Sequence, residues 1–288
     1  LGSLSATSGI EVKSNAGAIR IDVPLTVSGS QVWQVSGTGA SLDVSGPVAF
    51  ISTVTKTGAG ELTLSGDNSG SGGLVITEGK LNINSPTALG TGRLTLGQGT
   101  IIDNTSGAPV SITTGNEMTW NGSFAFAGTG SLDLGTGAVT LGGNVLIDTN
   151  SGGLAIGGPI SSGSNVFGLG KTGSGTLTIA GSGHYLGGTI LDQGRLVFAA
   201  DQSLSEPTNG LTLGAAPGST STFTLDLTSA SALFGGDFTI QNNNSEANSV
   251  EIGAGKMLSV LGSFNMGFSS LTTSTTRLNM TGGGIFTM

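Results

Sequence analysis

The sequence has no cysteine, one histidine (His184), one tyrosine (Tyr185) and two tryptophans (Trp33, Trp120) in 288 residues. Without thiols there is no disulfide framework and no thiolate metal site. A cysteine-free chain also suits an export route in which a stray thiol would be trapped in a wrong disulfide. With a single imidazole and no thiol, the chain is poorly equipped for a zinc site. Charge is scarce as well. Only 9% of residues are Asp, Glu, Lys or Arg, where about 25% is usual. The 17 acids and 9 bases leave a formal net charge of −8. That balance argues against the basic stripe of a nucleic-acid-binding face, and the acids, scattered singly, serve solubility. No apolar run approaches the ~20 residues that a helix needs to cross a bilayer. The chain opens with LGSLSATSGI, without an initiator Met or a charged-then-apolar leader. It reads as a processed product or a piece of a longer chain.

What the sequence does have is glycine, 53 residues of it, and a hydrophobic content of 36%. The hydrophobic residues fall in short alternating runs: Leu62-Thr63-Leu64, Leu81-Asn82-Ile83, Leu132-Asp133-Leu134, Leu177-Thr178-Ile179 and Phe223-Thr224-Leu225-Asp226-Leu227. A period of two puts the apolar side chains on one face of a strand and the polar ones on the other. Gly, Asn, Ser or Asp ends each run within three to five residues and supplies the corner. No segment carries a helical period, and glycine at this density opposes one at about 1 kcal/mol per residue. The chain is therefore all-β. Strands this short, with so few aromatics to fill a wide interior, favour a β-solenoid over a sandwich or barrel.

Internal repetition supports this. KTGAGELTLSGDNSGSGGLVITEGKLNINSPTALG, residues 56–90, returns without a gap as KTGSGTLTIAGSGHYLGGTILDQGRLVFAADQSLS, residues 171–205. A tryptophan precedes each copy. The two tryptophans are 87 residues apart and the two copies 115, a difference of 28. A solenoid absorbs a whole extra coil without disturbing its neighbours, so an additional turn is expected within 142–169. With roughly 20–28 residues per coil, residues 1–288 are expected to form one continuous solenoid of about 10–14 turns.

The two copies resemble the passenger-associated transport repeat, also called the autotransporter-associated β-strand repeat. Its pattern is approximately K-T-G-x-G-x-L-T-L-S-G-x-N-x-Y-x-G-G-T-x-V-x-x-G-x-L. The first copy carries it on Lys56, Thr57, Gly58, Gly60, Leu62, Leu64, Gly66, Asn68, Gly72, Gly73, Gly79 and Leu81. The second carries it on Lys171, Thr172, Gly173, Gly175, Leu177, Gly181, Tyr185, Gly187, Gly188, Gly194 and Leu196, with Ile179 at the position of Leu64. The first copy departs at Gly70 and Leu74, where the family prefers Tyr and Thr. The second departs at Ala180 and Gly183, where it prefers Ser and Asn. The resemblance implies a right-handed parallel β-helix, secreted and displayed on a bacterial surface, in which the repeat aids export and folding. It implies an outer-membrane translocation barrel, or neighbouring solenoid segments of the same or identical chains, as partners. It implies no chemistry, and nothing in the chain resembles the family's own membrane barrel.

The residues that could carry chemistry point the same way. His184 is expected as an exposed loop residue at a turn. Asp43, Asp133 and Asp226 recur between apolar neighbours, on the outer face of their strands, and read as isolated solubilising acids. The bases Lys13, Arg20, Lys56, Lys80, Arg93, Lys171, Arg195, Lys256 and Arg277 read as unclustered. The glycine-rich stretches lack the helix and Gly-Lys-Ser/Thr element of a phosphate loop and read as corners. QNNNSEANS, residues 241–249, reads as a projecting loop. The expectation is a non-enzymatic structural segment, a rigid stalk or spacer that supports export, folding and adhesion. No catalytic, cofactor or metal residue is expected, no nucleic-acid partner, and no membrane insertion of this segment. A filament subunit stacking end to end is the main alternative, and a polysaccharide-active β-helix the lesser one.

Overall fold

The computed structural model describes residues 4–6, 9–214, 221–241, 248–266 and 279–288. The tip of the expected 241–249 loop and Arg277 lie outside them. The described residues are all-β, without a helix, and fall into two compact units, Leu1–Val139 and Thr140–Met288.

In the first unit, one stack runs Ile10–Val12, Gln31–Val35, Val54–Thr57, Leu74–Ile76, Leu94–Leu96 and Met118–Trp120. A second runs Ala18–Ile21, Ser41–Val44, Glu61–Leu64, Lys80–Ile83, Ile101–Asp103 and Phe124–Phe126. In the second unit, Val145–Thr149, Leu169–Thr172, Thr189–Leu191, Leu211–Leu213 and Phe238–Ile240 form one stack. Gly153–Ile156, Thr176–Ile179, Gly194–Phe198, Phe223–Leu227 and Ser249–Ile252 form another. Strands pair in parallel with the counterpart one coil on, as in Val54↔Leu74 and Leu177↔Leu196. The units are parallel β-solenoids, together making about 11 turns.

The alternating runs place their side chains as their period requires. Leu42, Leu62, Leu81, Ile102 and Phe126 stack in register in the first unit and are fully buried. Leu154, Leu177, Leu196, Leu225 and Val250 do the same in the second. Each such column removes apolar surface from water at roughly 25 cal/mol per Å². Because the pairing runs between coils, an inward ladder and a hydrogen-bond ladder form together.

Coil length varies along the chain. The register Val54↔Leu74 spans 20 residues and Glu61↔Lys80 spans 19. In the second unit, Leu169↔Thr189 spans 20 and Thr176↔Arg195 spans 19, whereas Gly194↔Phe223 spans 29 and Gln202↔Ala232 spans 30. Residues 145–168 make one coil, closed by Val145↔Leu169. The 28-residue difference is not itself a whole coil, because Trp33, Lys56 and Trp120 share one sheet while Lys171 lies on a strand of another.

Candidate functional site: a buried lysine in each repeat

Lys56 lies in step with Val54 on the strand Val54–Thr57, so alternation turns it inward. It stands in register between Trp33 of the preceding coil and Ile76 of the following one, in a column otherwise built of hydrophobic residues. Its side chain is fully buried. A buried ammonium is tolerated only when its donors are matched. Here Nζ donates to the carbonyls of Thr57 (3.2 Å), Gly58 and, one coil on, Glu78 (3.0 Å). Burial lowers the pKa from 10.5 to about 8, with the nearby Glu78 charge pulling it back up.

Lys171 repeats the arrangement. It stands between Ile147 and Leu191 in the interior column of the second unit and is 1% exposed. Nζ donates to Thr172 (2.7 Å), Gly173 (2.6 Å) and, one coil on, Gln193 (2.9 Å). Burial again lowers the pKa to about 8, opposed by the charges of Asp148 and Asp192. In each copy one ammonium joins its own turn to the turn of the next coil. The three N–H groups of an ammonium meet three carbonyls, and charge assistance makes such bonds about twice as strong as neutral ones.

The glycines that accompany the lysine follow from this cage. Gly79 has φ +74°, and a Cβ there would stand 2.5 Å from the carbonyl oxygens of Gly58 and Gly60 and 2.6 Å from Lys56 Nζ. Gly194 has φ +76°, and a Cβ would meet Gly173 O at 2.3 Å and Lys171 Nζ at 2.8 Å. Both positions need the left-handed backbone and an empty side for the ammonium. The glycine follows its lysine by 23 residues, one coil of 20 plus the three that lead into the next corner.

The repeat's asparagine works by the same logic. Asn68 is buried, accepts from Val48 N–H at 2.7 Å and donates to Ala88 O at 2.7 Å, bridging the coils on either side. Replacing it with Ala leaves a buried donor and acceptor unmatched, and should lower unfolding stability by about 2 kcal/mol in a denaturant titration. The second copy has Gly183 there. Gln202, one coil on, compensates: its Oε1 accepts from Gly183 N–H (2.8 Å) while Nε2 donates to Gly181 O (3.0 Å) and Ala200 O (2.7 Å). Tyr185 is 2% exposed; its hydroxyl pairs with Thr189 Oγ1 at 2.6 Å, and burial raises its pKa to about 12. His184, expected in a turn, is exposed on the two-residue strand Gly183–His184, with Nδ1 3.4 Å from Ser182 Oγ.

The outward bases and acids correct an expectation of isolation. Lys80 and Arg195 occupy the same place in the two copies, and both bind acids on other coils, Arg195 on the next two. Lys80 reaches Asp103 at 2.9 Å and Glu61 at 3.9 Å. Asp103 is fully buried; burial pushes its carboxyl up, but bonds from Lys80 and Thr129 outweigh this and hold it below its usual value. Arg195 reaches Asp226 at 2.5 Å and Glu251 at 2.6 Å. Asp226 points to the outer face as expected, yet it is 6% exposed rather than free in solvent. Asp133 accepts from Gly135 N–H at 2.9 Å, and Asp43 lies 4.0 Å from Arg20.

Asp226 and Glu251 stand directly opposite in the ladder, an arrangement that destabilises a sheet unless a cation intervenes. For Asp226 burial pushes the carboxyl up, while Thr228 and Arg195 together hold it below its usual 3.8. A lowered folded pKa contributes stability above pH 3.8 that disappears as the pH falls through the folded value. Arg195→Met should therefore cost about 1 kcal/mol at pH 7 and progressively less below pH 4. Urea titrations at several pH values would show this, and a penalty independent of pH would contradict it.

Segments 54–83 and 169–198 match the family model described as the passenger-associated-transport-repeat. The chain carries this repeat twice. Each match starts on the strand that bears the buried lysine and ends on the strand that stacks one coil after its partner, Lys80–Ile83 or Gly194–Phe198. One passenger-associated-transport-repeat is thus a coil together with the strands that begin its successor. A β-solenoid carrying this repeat fits an autotransporter passenger segment, a structural region of a protein secreted to the cell surface. No curated protein and no solved structure matches the chain.

Proposed function

We propose that the chain is a structural segment of a surface-displayed autotransporter-type passenger, a rigid β-helical stalk or spacer that holds other regions of its protein away from the membrane. The observation that supports this reading most strongly is the role of Lys56 and Lys171. The most unusual ionisable groups of the repeat bind backbone carbonyls and join coils. The remaining repeat positions suit the same purpose: Leu62, Leu64, Leu81, Leu177, Ile179 and Leu196 pack inward, and glycines occupy the close approaches. Export through a translocation barrel would deliver the chain unfolded, and coil-by-coil stacking would let it fold on emergence without an energy source.

The test is display. With a secretion signal and a translocation barrel supplied, the segment should reach the cell surface in a form that resists added protease. A Lys56→Met/Lys171→Met double variant should be displayed in a protease-sensitive form. Equal protease resistance of both would count against a stalk stabilised by the repeats.

A further inference from the structure

We propose that each repeat is the folding nucleus of the unit that contains it. Each compact unit holds one copy, 54–83 in Leu1–Val139 and 169–198 in Thr140–Met288. The copies contain coils of 19–20 residues from rung to rung, as short as the coil Ser41↔Glu61 beside the first copy, against 29–30 later in the second unit. Loop-closure entropy favours the shorter coil, but only as the logarithm of length, so this effect is modest. The lysine is the larger one. With a single coil formed, the ammonium has only the carbonyls of its own turn, Thr57 and Gly58 or Thr172 and Gly173. Water then remains its better environment. When the next coil docks, Glu78 O or Gln193 O supplies the third acceptor, and the side chain becomes buried in the same step.

One coil and the start of the next, as far as Glu78 or Gln193, are thus the smallest piece in which the lysine is satisfied, and the repeat contains that piece. Among the described residues, Lys56 and Lys171 are the buried lysines, so the device occurs once in each unit. Coils on either side then add to a preformed edge, as in other nearest-neighbour solenoids. The longer coils of the second unit, such as that closed by Gln202↔Ala232, add after the nucleus has formed.

Pulse-labelling hydrogen exchange during refolding of the full chain, read by mass spectrometry, tests this. Amides of 54–83 and 169–198 should be protected first, and those of Ala232–Phe234 and Met257–Val260 later. Simultaneous protection throughout, or earlier protection outside the repeats, would overturn the proposal. Mutant kinetics give a second reading. Lys171→Met should slow refolding about a hundredfold and change unfolding less than about twofold, whereas Phe234→Leu should chiefly accelerate unfolding. Lys171→Met acting on the unfolding rate alone would overturn the proposal. Should that variant fail to fold, the labelling order in the unmodified chain decides.

Discussion

Replacing Gly79 with Ala is expected to destabilise the first unit by about 4 kcal/mol, a large fraction of the stability of an ordinary domain. Two costs combine. The backbone stands at φ +74°, where a Cβ is strained, and that Cβ would lie 2.5 Å from two carbonyl oxygens. The second cost falls on Lys56, whose Nζ is 2.6 Å from the same point. The ammonium would have to leave its cage, freeing three carbonyls while the charge remains buried. Gly79→Ala should thus exceed an Ala substitution at an open corner such as Gly99, where φ is +75° but nothing lies within 4 Å. There only the backbone term of about 1–2 kcal/mol applies. Chemical denaturation of the two variants measures the difference, and equal losses would show that the cage around Lys56 contributes nothing.

The second large effect is expected from Lys171→Met, which keeps an unbranched apolar stem and removes the ammonium. Three buried carbonyls lose their donor, and the expected loss is about 3 kcal/mol at pH 7. The pH dependence separates this from lost packing. Burial holds the folded pKa at about 8, below the ordinary value of 10.5. Between those values the unfolded chain binds more protons than the folded one, so stability contributed through this group rises with pH across the window. The unmodified chain should gain stability from pH 8 to 10.5, and the variant should gain less. Parallel pH profiles for the two would contradict the assignment.

The hydrophobic architecture was legible in the sequence because period-two alternation is local. Leu62-Thr63-Leu64 and Leu177-Thr178-Ile179 declare an inward face within three residues, and a 35-residue gapless repeat with glycine corners points to a coil. The lysines were not legible as interior residues. A charged residue in an alternating run reads as outward, and only its parity with Val54 indicated otherwise. The missed signal was the recurrence of a glycine 23 residues after each lysine, Gly79 after Lys56 and Gly194 after Lys171, which marks space kept for the ammonium. The partners of Arg195 were hidden for a different reason. Asp226 and Glu251 lie 31 and 56 residues away, and the intervening coils are longer than those of the repeat. No fixed spacing within the repeat could bring them together.

The most direct test of the account is the register of one repeat. Because the chain has no cysteine, Thr55→Cys/Val75→Cys introduces a single outward pair placed on adjacent coils in register. Parallel neighbours stand about 4.8 Å apart, within the range a disulfide can span, whereas a pair displaced by two residues along the strand does not. Mild oxidation of the folded protein should close the Thr55→Cys/Val75→Cys pair almost completely and leave a Thr55→Cys/Thr77→Cys control open. Efficient closure of the control with failure of the in-register pair would contradict the stacked coils on which the lysine cage, the folding nucleus and the proposed stalk all depend.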